Sequence, residues 1–553
     1  PFFAEPKAAK KQLRLLMCYL ELSGFMQKGT PREVSRKELL ERAEVSPQIL
    51  STLVTKGIFE NYGKEISRLS NNPLHTESPY PLSPIQQKTY NEIIDRFSQK
   101  ETVLLHGVTS SGKTEIYIHL IDTVLKQGRQ VLYLVPEIAL TTQLPTRLQR
   151  VFGNKLSIYH SKFTDNERVE IWNDLLHDKG AQIILGVRSS IFLPFRDLGL
   201  VIVDEEHEGS YKQQEPSPRY HARNAAIVLA SMHGAKTLLG TATPAIESYY
   251  NAQCGKYGLV ELSSRHEEIA LPRILPIDMG DLRRKRRVSQ ESNLSPQLKE
   301  ACEEALKNGE QVILFQNRRG FAPMVECRLC AWTPRCTQCD VSLTYHKRTN
   351  RLVCHYCGYS QEVPTRCPAC GETSIVIHGF GTERIEEEIE HTFPDYPIAR
   401  MDLDTTRNRK AYEQIISDFE QQKSRILVGT QMVTKGLDFG HVSVVSADTL
   451  LNYPDFRAHE RAFQMMEQVA GRAGRKSRQG TVILQTAQPQ HPVIAQIMRH
   501  DYAGMYATQI AERQQFNYPP FTRLIYIYLK HRDEAILDAA AKNYAQRLYP
   551  VFG

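Results

Sequence analysis

Eight cysteines, arranged as four Cys-x-x-Cys pairs, have the spacing that most clearly predicts chemistry in this chain. The pairs are Cys327/Cys330, Cys336/Cys339, Cys354/Cys357 and Cys367/Cys370. Each pair presents two thiolates to one ion, and two pairs complete a closed tetrahedral zinc site of four cysteines. Because the interval between Cys339 and Cys354 suits a ribbon loop, we group the second pair with the third and the first with the fourth. We therefore expect two structural zinc ions, in preference to disulfides, an iron–sulfur cluster or a catalytic zinc.

A glycine-rich loop, GVTSSGKT, follows the apolar segment TVLLH and precedes a helical pattern. Backbone N–H groups in such a loop surround phosphates, and the following helix adds positive potential. We expect Lys113 to contact the β- and γ-phosphates of ATP and Thr114 to bind Mg²⁺. The other predicted loop contacts are Gly107, Thr109, Ser110, Ser111 and Gly112. Gln86, in the segment LSPIQQ ahead of the loop, is predicted to read the edge of adenine.

An acidic segment and an arginine-rich segment predict the remaining parts of an ATP hydrolase. Asp204 follows the apolar run LGLVIV and is expected to coordinate Mg²⁺, while Glu205 orients the attacking water. The segment QVAGRAGR supplies Gln468, Arg472 and Arg475, and a guanidinium from outside the loop can stabilise charge on the transferred phosphoryl group. Because this segment belongs to a second lobe, we expect hydrolysis to depend on lobe closure.

The segment after DEEH, EGSYKQQEPSPRYHAR, interleaves aromatic and basic residues. This composition is typical of loops that stack on unpaired bases and contact phosphates. We predict that Tyr211, Lys212, Arg219 and Tyr220 couple DNA binding to ATP hydrolysis, because they directly follow Glu205. The alternative interpretation is an ordinary loop with exposed tyrosines.

Two series of apolar strands alternating with helices must position these segments. The first runs from 85 to about 262 and includes TVLLHGV, QVLYLVP, AQIILGV, LGLVIVDEE and KTLLGTA; the second includes QVILFQN, SIVIHG, RILVGTQ, VSVVSAD and GTVILQT. Continuous apolar strands of this kind are typical of parallel sheets covered on both faces. We therefore predict a first lobe at 85–262 and a second at 263–320 and 378–512, interrupted by a zinc-binding insertion at 321–377.

The flanking segments predict two smaller units. RKELLERA and SPQILSTLVTKGIF indicate a helix-turn-helix at 7–70, with Ser46 as N-cap, Pro47 in the first turn and NYGKEISRL as a wing strand. Such a unit contacts DNA or, alternatively, forms a helical bundle for protein contacts. A linker is predicted at 71–84. The segment NYPPFTRLIYIYLKH predicts a strand and DEAILDAAAKNYAQRLY a helix, which together would begin a C-terminal α+β domain at 513–553.

Composition sets broad limits on the class of protein. The 553 residues carry a net charge of +7 and 41% hydrophobic residues, which is ordinary for a globular protein and compatible with nucleic-acid binding. We expect neither a membrane span nor a signal peptide. Because the first residue is proline, we expect a fragment of a longer protein. The isolated Cys18, Cys254 and Cys302 are interpreted as packing or surface residues.

The motifs taken together resemble a known family. GVTSSGKT, PEIAL, DEEH, GTATP and QVAGRAGR resemble superfamily 2 helicases, and NRRGF, the eight cysteines, GFGTERIEEEIE, GTQMVTKGLDF and ADTLLNYPDFRAHERAFQ narrow the resemblance to the bacterial replication-restart helicases, the PriA family. The resemblance covers roughly residues 7–553. It implies an α/β fold with two tandem RecA-like helicase lobes, an N-terminal winged helix, a two-zinc insertion in lobe 2 and a partial C-terminal α+β domain. The cysteine grouping that it implies agrees with the one above.

The resemblance also implies a function. Members are ATP-dependent 3′→5′ DNA helicases that bind branched DNA at stalled or collapsed forks and initiate primosome assembly. The implied cofactors are ATP, Mg²⁺ and two structural Zn²⁺. The implied partners are forked and single-stranded DNA, single-strand-binding protein and PriB, in the bacterial cytoplasm at the nucleoid. We expect a monomer. From the resemblance we expect that the family's domain for a nascent 3′ end has no counterpart before residue 7. A duplex translocase and a zinc-bearing scaffold that uses ATP as a switch are the alternatives.

Overall fold

The computed structural model describes most of the chain. The described ranges are 8–25, 32–61, 76–136, 143–160, 163–177, 180–263, 271–289, 292–316, 324–346, 349–378, 383–401, 409–429, 441–444, 446–471 and 480–552. The chain divides into two compact units, Pro1–Asn71 and Asn72–Gly553. None of the helices in these ranges is long and apolar enough to cross a membrane.

The described residues of the first unit form three helices, α1 (Ala8–Ser23), α2 (Arg36–Ala43) and α3 (Pro47–Thr55). The two predicted helices are confirmed, and the turn between them is tight because Glu44 has a positive φ of 51°. Ser46 caps α3 by position and Pro47 occupies its first turn. The buried side chains Leu15, Leu39 and Leu53 contribute to its core. The predicted wing strand falls almost wholly outside the described residues.

The second unit begins with a seven-stranded sheet. Its strands are β1 (Thr102–Gly107), β2 (Gln130–Leu134), β3 (Leu156–Tyr159), β4 (Ile183–Gly186), β5 (Leu198–Asp204), β6 (Lys236–Thr241) and β7 (Gly258–Leu262). Its helices are α4 (Pro84–Gln99), α5 (Lys113–Lys126), α6 (Gln143–Phe152), α7 (Asp165–Leu176), α8 (Ala222–Met232) and α9 (Ile246–Gln253). The order is β3-β4-β2-β5-β6-β1-β7 and every pair is parallel. All five predicted strands are confirmed.

From residue 273 onward the described residues form eleven more strands. They are β8 (Arg273–Asp278), β9 (Val312–Phe315), β10 (Met324–Cys327), β11 (Thr344–His346), β12 (Arg351–Val353), β13 (Ser360–Glu362), β14 (Ile375–His378), β15 (Ile398–Met401), β16 (Ile426–Gly429), β17 (His441–Val444) and β18 (Thr481–Thr486). The helices are α10 (Met279–Arg284), α11 (Pro296–Lys307), α12 (Glu383–Thr392), α13 (Arg409–Glu420), α14 (Asp448–Leu451), α15 (Ala458–Ala470), α16 (Pro492–Met498), α17 (Tyr502–Gln515) and α18 (Glu534–Phe552).

A second large sheet has the order β15-β16-β9-β17-β18-β8, and its pairs are all parallel. One strand assigned to this series by its sequence belongs elsewhere. SIVIHG forms β14, which pairs antiparallel with β10 in a separate two-stranded sheet. The apolar run therefore closes the cysteine-rich segment, because Ile375 pairs with Cys327 at one end of this small sheet. A fourth sheet, β11-β12-β13, lies between β10 and β14 in the sequence, and the segment from β10 to β14 is called the zinc ribbon below.

The strand predicted within NYPPFTRLIYIYLKH is not formed. Residues 523–531 are irregular, and Ile525 and Tyr528 are 73% and 64% exposed. A strand needs a partner for its backbone groups, and this segment pairs with no strand among the described residues. The helix predicted after it is confirmed as α18.

Candidate nucleotide site and zinc centres

The glycine-rich loop connects β1 to α5 at the edge of the first sheet. Lys113 folds back over it, and its Nζ donates hydrogen bonds to the carbonyl oxygens of Gly107 (2.7 Å) and Val108 (3.4 Å). The hydroxyls of Ser110 and Ser111 are buried without a hydrogen-bond partner among the described residues. Buried polar groups are normally satisfied, so the loop is suited to an anion that accepts these hydrogen bonds.

Gln86 lies behind the loop and is 3% exposed. Its Oε1 accepts a hydrogen bond from the Ser83 backbone N–H (2.9 Å), which completes a capping box at the start of α4. Its Nε2 faces the carbonyl oxygen of Gly112 at 3.5 Å. Gly112 has a φ of +82°, and a Cβ there would come within 2.1 Å of that same Nε2. Gln86 thus supports the loop, and its contact with adenine stays a prediction.

Asp204 lies at the end of β5, where two tyrosine hydroxyls surround its carboxylate. Tyr117 donates to Oδ1 at 3.3 Å and Tyr133 to Oδ2 at 3.4 Å. Burial, followed by the negative charge of Glu205, raises the pKa of Asp204 to about 6, and Lys113 opposes this rise. Two adjacent carboxylates beside the Lys113 ammonium favour an additional cation. The donor set therefore fits Mg²⁺.

Glu205 and His207 lie where side chains of the first lobe contact the second lobe. Glu205 has a φ of 47°, and its Oε2 is buried without a hydrogen-bond partner among the described residues. That oxygen lies 3.6 Å from Nδ1 of His207. Nδ1 is 2.6 Å from Oγ1 of Thr241, and Nε2 is 2.6 Å from Nε2 of Gln468 on α15. The second lobe therefore reaches the acidic segment directly.

The end of α15 also reaches the glycine-rich loop. Gly471 follows α15, and a Cβ at this position would lie 2.7 Å from the side chain of Thr109. This close approach brings Gly471, the last described residue of the QVAGRAGR segment, to the phosphate-binding loop. Arg472 and Arg475 come directly after Gly471 and lie outside the described residues. Their roles remain predictions.

Glu206 is a structural residue that sequence reasoning missed. It is fully buried, and its Oε2 accepts hydrogen bonds from Arg223 (2.7 Å) and from the Ser248 hydroxyl (2.7 Å). Its Oε1 accepts from the Ala245 backbone N–H at 2.7 Å. These contacts tie the acidic segment to the starts of α8 and α9. The third consecutive acidic position of DEEH was the available signal, although its partners are distant in sequence.

The predicted DNA-coupling residues do not share one environment. Tyr211 is only 1% exposed, and its hydroxyl donates to the backbone carbonyl oxygen of Asp204 at 2.7 Å. Because the ring is enclosed by protein, it is not available for stacking on a base in this arrangement, and the coupling role of Tyr211 stays a prediction. Burial raises the pKa of the Tyr211 phenol well above its usual range, so the hydroxyl remains a donor.

The other three predicted residues lie at the surface of the same loop. Tyr220 is half-buried and packs edge-to-face against Phe192, with ring centroids 4.9 Å apart. Phe192 is 53% exposed and was not predicted. Lys212 donates to the carbonyl oxygen of Arg219 at 2.8 Å, and the Arg219 guanidinium pairs with Glu215 at 2.7 Å. Aromatic and basic groups are thus held side by side.

The eight cysteine thiols form two compact groups, as their spacing predicts. In each group the Sγ atoms all lie within 4.8 Å of one another. The Sγ atoms of Cys327 and Cys370 are 3.6 Å apart, and those of Cys336 and Cys357 are 3.5 Å apart. Tetrahedral zinc with Zn–S bonds of about 2.3 Å places sulfurs about 3.8 Å apart. Both groups therefore fit zinc. Their members are Cys327, Cys330, Cys367 and Cys370, and Cys336, Cys339, Cys354 and Cys357.

These features define a superfamily 2 helicase: a phosphate loop and an acidic segment on one parallel sheet, approached by a helix of a second. Residues 83–252 match the DEAD/DEAH box helicase family and residues 369–477 the helicase conserved C-terminal domain. Residues 1–66 match the winged helix domain of PriA helicase from Bacteroidota, and residues 336–361 match the Cys-rich region of PriA DNA helicase. The chain belongs to the replication restart protein PriA family.

Individual relatives are similar along most of the chain. Replication restart protein PriA of Bacillus subtilis is 40% identical over 549 residues, which cover 98% of this chain and 67% of that protein. The protein of the same name from Rickettsia felis is 42% identical, with 94% of this chain and 83% of that protein covered. The chain thus spans about two thirds of the length of the Bacillus relative. RecG bound to a three-way DNA junction aligns over 91% of this chain and 52% of its own, with 14% identity and a TM-score of 0.45.

The family and domain matches establish the class of enzyme. The chain is a DNA helicase that hydrolyses ATP and belongs to a family that serves replication restart. The predicted α/β fold with two helicase lobes, an N-terminal winged helix and a cysteine-rich zinc region is confirmed. Zinc as a cofactor is supported by the family's Cys-rich region and by both four-cysteine groups.

Proposed function

We propose that this protein is a 3′→5′ DNA helicase that binds branched DNA at stalled or collapsed forks and initiates primosome assembly. The observation that carries the proposal is the link from Glu205 through His207 to Gln468, which joins the two lobes at the hydrolytic centre. A motor needs such a link, because hydrolysis must respond to the relative position of its lobes. Fork binding and polarity rest on membership of the PriA family.

ATP binds at the glycine-rich loop in this proposal. Lys113 releases its two carbonyl contacts and turns its ammonium to the β- and γ-phosphates. The hydroxyls of Ser110 and Ser111, which have no hydrogen-bond partner in the described part of the chain, donate to phosphate oxygens. Thr114 and Asp204 would hold Mg²⁺, which would neutralise phosphate charge. The backbone N–H groups between Gly107 and Gly112 complete the anion site.

Hydrolysis then depends on groups from both lobes. Glu205 orients the attacking water and accepts its proton, because its Oε2 is desolvated and without a hydrogen-bond partner among the described residues. Gln468 holds His207, which lies 3.6 Å from that oxygen. Arg472 and Arg475 place positive charge near the γ-phosphate when the lobes close. Opening after phosphate loss completes the cycle.

Single-stranded DNA binds on the loop that follows the acidic segment. Tyr220 and Phe192 offer ring faces, and Lys212 and Arg219 contact phosphates. Tyr211 does not touch DNA. It transmits displacement of the loop to the backbone of Asp204 through its hydroxyl.

Tyr211→Phe is expected to reduce stimulation of ATP hydrolysis by single-stranded DNA without changing DNA affinity, because it removes only the hydrogen bond to Asp204.

Tyr220→Ala is expected to weaken DNA binding without changing the stimulation of ATP hydrolysis by bound DNA. Loss of one stacked base corresponds to about 1–3 kcal/mol, or about 5- to 150-fold weaker binding. Fluorescence anisotropy with labelled DNA and steady-state ATPase assays separate the two effects. Weaker DNA binding by Tyr211→Phe would contradict the proposal that Tyr211 acts through its hydrogen bond to Asp204 and does not touch DNA.

The partners implied by the family belong to the same proposal. In this proposal the protein is a monomer that contacts single-strand-binding protein and PriB. It acts in the bacterial cytoplasm, at the nucleoid. The zinc-bearing ribbon either splits the duplex or docks a partner. The domain limits set out above, 7–70, 85–262, 263–320 with 378–512, 321–377 and 513–553, are retained as proposals. Strand β14 belongs to the ribbon and not to the second lobe.

A strand-separation assay tests the proposal as a whole. Forks with a labelled strand and a single-stranded tail of either polarity are incubated with the protein, ATP and Mg²⁺, and ATP hydrolysis is measured in parallel. We expect strand release from the substrate that requires 3′→5′ movement and stimulation of hydrolysis by the fork. Release only from the opposite tail would overturn the polarity. Stimulated hydrolysis without strand release, together with displacement of the third strand from a separate triplex substrate, would indicate a duplex translocase. Binding without stimulated hydrolysis would indicate a scaffold.

A further inference from the structure

One face of helix α15 carries three polar side chains that all bind the first lobe. Glu460, Gln464 and Gln468 are spaced four residues apart, which places them in line on one side of a helix. Gln468 contacts His207, as described above. Gln464 is buried, and its Nε2 donates to the carbonyl oxygens of Thr243 (3.4 Å) and Pro244 (3.3 Å) in the GTATP segment.

Glu460 makes the third contact, at the start of α9. Its Oε1 accepts a hydrogen bond from the backbone N–H of Ile246 at 2.9 Å. Ile246 is the first residue of α9, and the first N–H groups of a helix have no partner within it. This amide is therefore satisfied by a residue of the second lobe that lies 214 positions away.

Helix α17 holds Glu460 in place. Arg513 is 1% exposed, and its Nη2 donates to Oε2 of Glu460 at 2.5 Å. Its Nη1 lies 3.2 Å from Glu247, which is also on α9. Burial of the carboxylate of Glu247 is outweighed by Arg457 and Arg513, so its pKa is lowered to about 2 and it stays ionised. Glu460 is thus fixed from both of its oxygens.

The three contacts respond together to movement of α15. Glu460 and Gln468 are eight residues apart, or about 12 Å along a rigid helix. A shift of the helix leaves several buried polar atoms without partners at once, which is unfavourable. Small displacements are thus resisted, and the contacts form or break as a set. The same helix ends at Gly471 against Thr109 of the phosphate loop.

We propose that Glu460, Gln464 and Arg513 are positioning residues, which hold the GTATP segment and the start of α9 in register with the hydrolytic centre. The inference rests on the proposed function, since it adds the means by which lobe closure is sensed in the first lobe. All three side chains are buried within the protein. They act through Thr243, Pro244 and Ile246, so their loss slows the hydrolytic step and leaves ATP binding intact.

Gln464→Met tests the proposal, because methionine has a similar volume and lacks the amide donor. We expect the kcat of DNA-stimulated hydrolysis to fall by at least about tenfold, while KM for ATP changes by less than about twofold. Arg461→Ala is the matched control on the same helix. The Arg461 side chain is 46% exposed and pairs with Asp455 at the surface, so the kcat of this variant should equal that of the parent.

Thermal unfolding distinguishes positioning from packing. A positioning residue lowers kcat at an unchanged melting temperature. A Gln464→Met variant whose kcat equals that of the parent would overturn the proposal. So would a kcat deficit that accompanies a lower melting temperature and disappears on cooling, because it would report loss of packing.

Hydrogen exchange gives a readout that does not require DNA stimulation. The Ile246 amide is protected by Glu460, so a non-hydrolysable ATP analogue that closes the lobes should slow its exchange in the parent protein. With the analogue bound, the Ile246 amide should exchange faster in Gln464→Met than in the unaltered protein. In Arg461→Ala it should exchange at the same rate as in the unaltered protein. Unaltered exchange in Gln464→Met would overturn the proposal. A parent that lacks DNA-stimulated hydrolysis but shows the predicted exchange would overturn the proposed function alone.

Discussion

Glu205→Gln is expected to reduce DNA-stimulated ATP hydrolysis by about 10²- to 10⁴-fold while ATP binding is retained. The carboxylate oxygen Oε2 is buried without a hydrogen-bond partner among the described residues, so it is free to accept a proton from the attacking water. The amide of glutamine has nearly the same shape and cannot accept that proton. Steady-state turnover and equilibrium binding of a fluorescent ATP analogue measure the two quantities separately.

Two further variants serve as comparisons for this prediction. Lys113→Ala removes the ammonium that folds over the carbonyl groups of the phosphate loop, and it should weaken ATP binding as well as turnover. Glu101→Gln makes the same chemical change in a surface ion pair, where the Glu101 side chain is 67% exposed. ATP binding and turnover should both be unchanged. Turnover by Glu205→Gln within a few-fold of the parent would remove Glu205 from the role of base.

Cys336→Ser is expected to lower the zinc content from two ions per chain to one and to unfold the ribbon around it. The buried core of this ribbon is small and includes Val341, Leu343 and Leu352 together with two of the cysteines themselves. Metal must therefore supply much of its folding free energy, which for structural zinc in small peptides is about 10–16 kcal/mol. Metal analysis of the purified protein and limited proteolysis of the ribbon provide the measurements.

The separate packing of the two thiol groups sharpens this test. Cys327 and Cys367 belong to a different apolar cluster from Cys336 and Cys354, so Cys327→Ser should remove the other ion. Cys254→Ser is the control, since Cys254 is exposed and outside both groups. Retention of two ions in Cys336→Ser, or loss of both in Cys254→Ser, would refute the assigned zinc centres.

Several features were predictable because their determinants are contiguous in the chain. The start of α3 follows from Pro47, which suits the first turn of a helix, whereas the positive φ of Glu44 in the preceding turn was not predicted. The zinc groups follow from the geometry of two Cys-x-x-Cys pairs. The strands around the phosphate loop were recognisable because a parallel sheet covered on both faces needs continuous apolar runs.

Errors arose where a segment's role depends on what it packs against. The apolar run of β14 is compatible with either sheet, and only pairing with Cys327 assigns it to the ribbon. The run in NYPPFTRLIYIYLKH has strand-like composition, but it pairs with no strand among the described residues. Tyr211 and Tyr220 look alike in the sequence, yet one ring is enclosed and the other packs at the surface on Phe192.

A phosphate loop, an acidic pair and two zinc groups of four cysteines each could be predicted from the sequence, because each depends on side-chain types at short fixed spacings. The contacts that join these parts could not be predicted and depend on the tertiary fold. Gln468 meets His207 across 261 positions, and Glu460 meets Ile246 across 214. Such contacts depend on how two sheets place their helices, and residue type within either segment carries no signal of the distant partner.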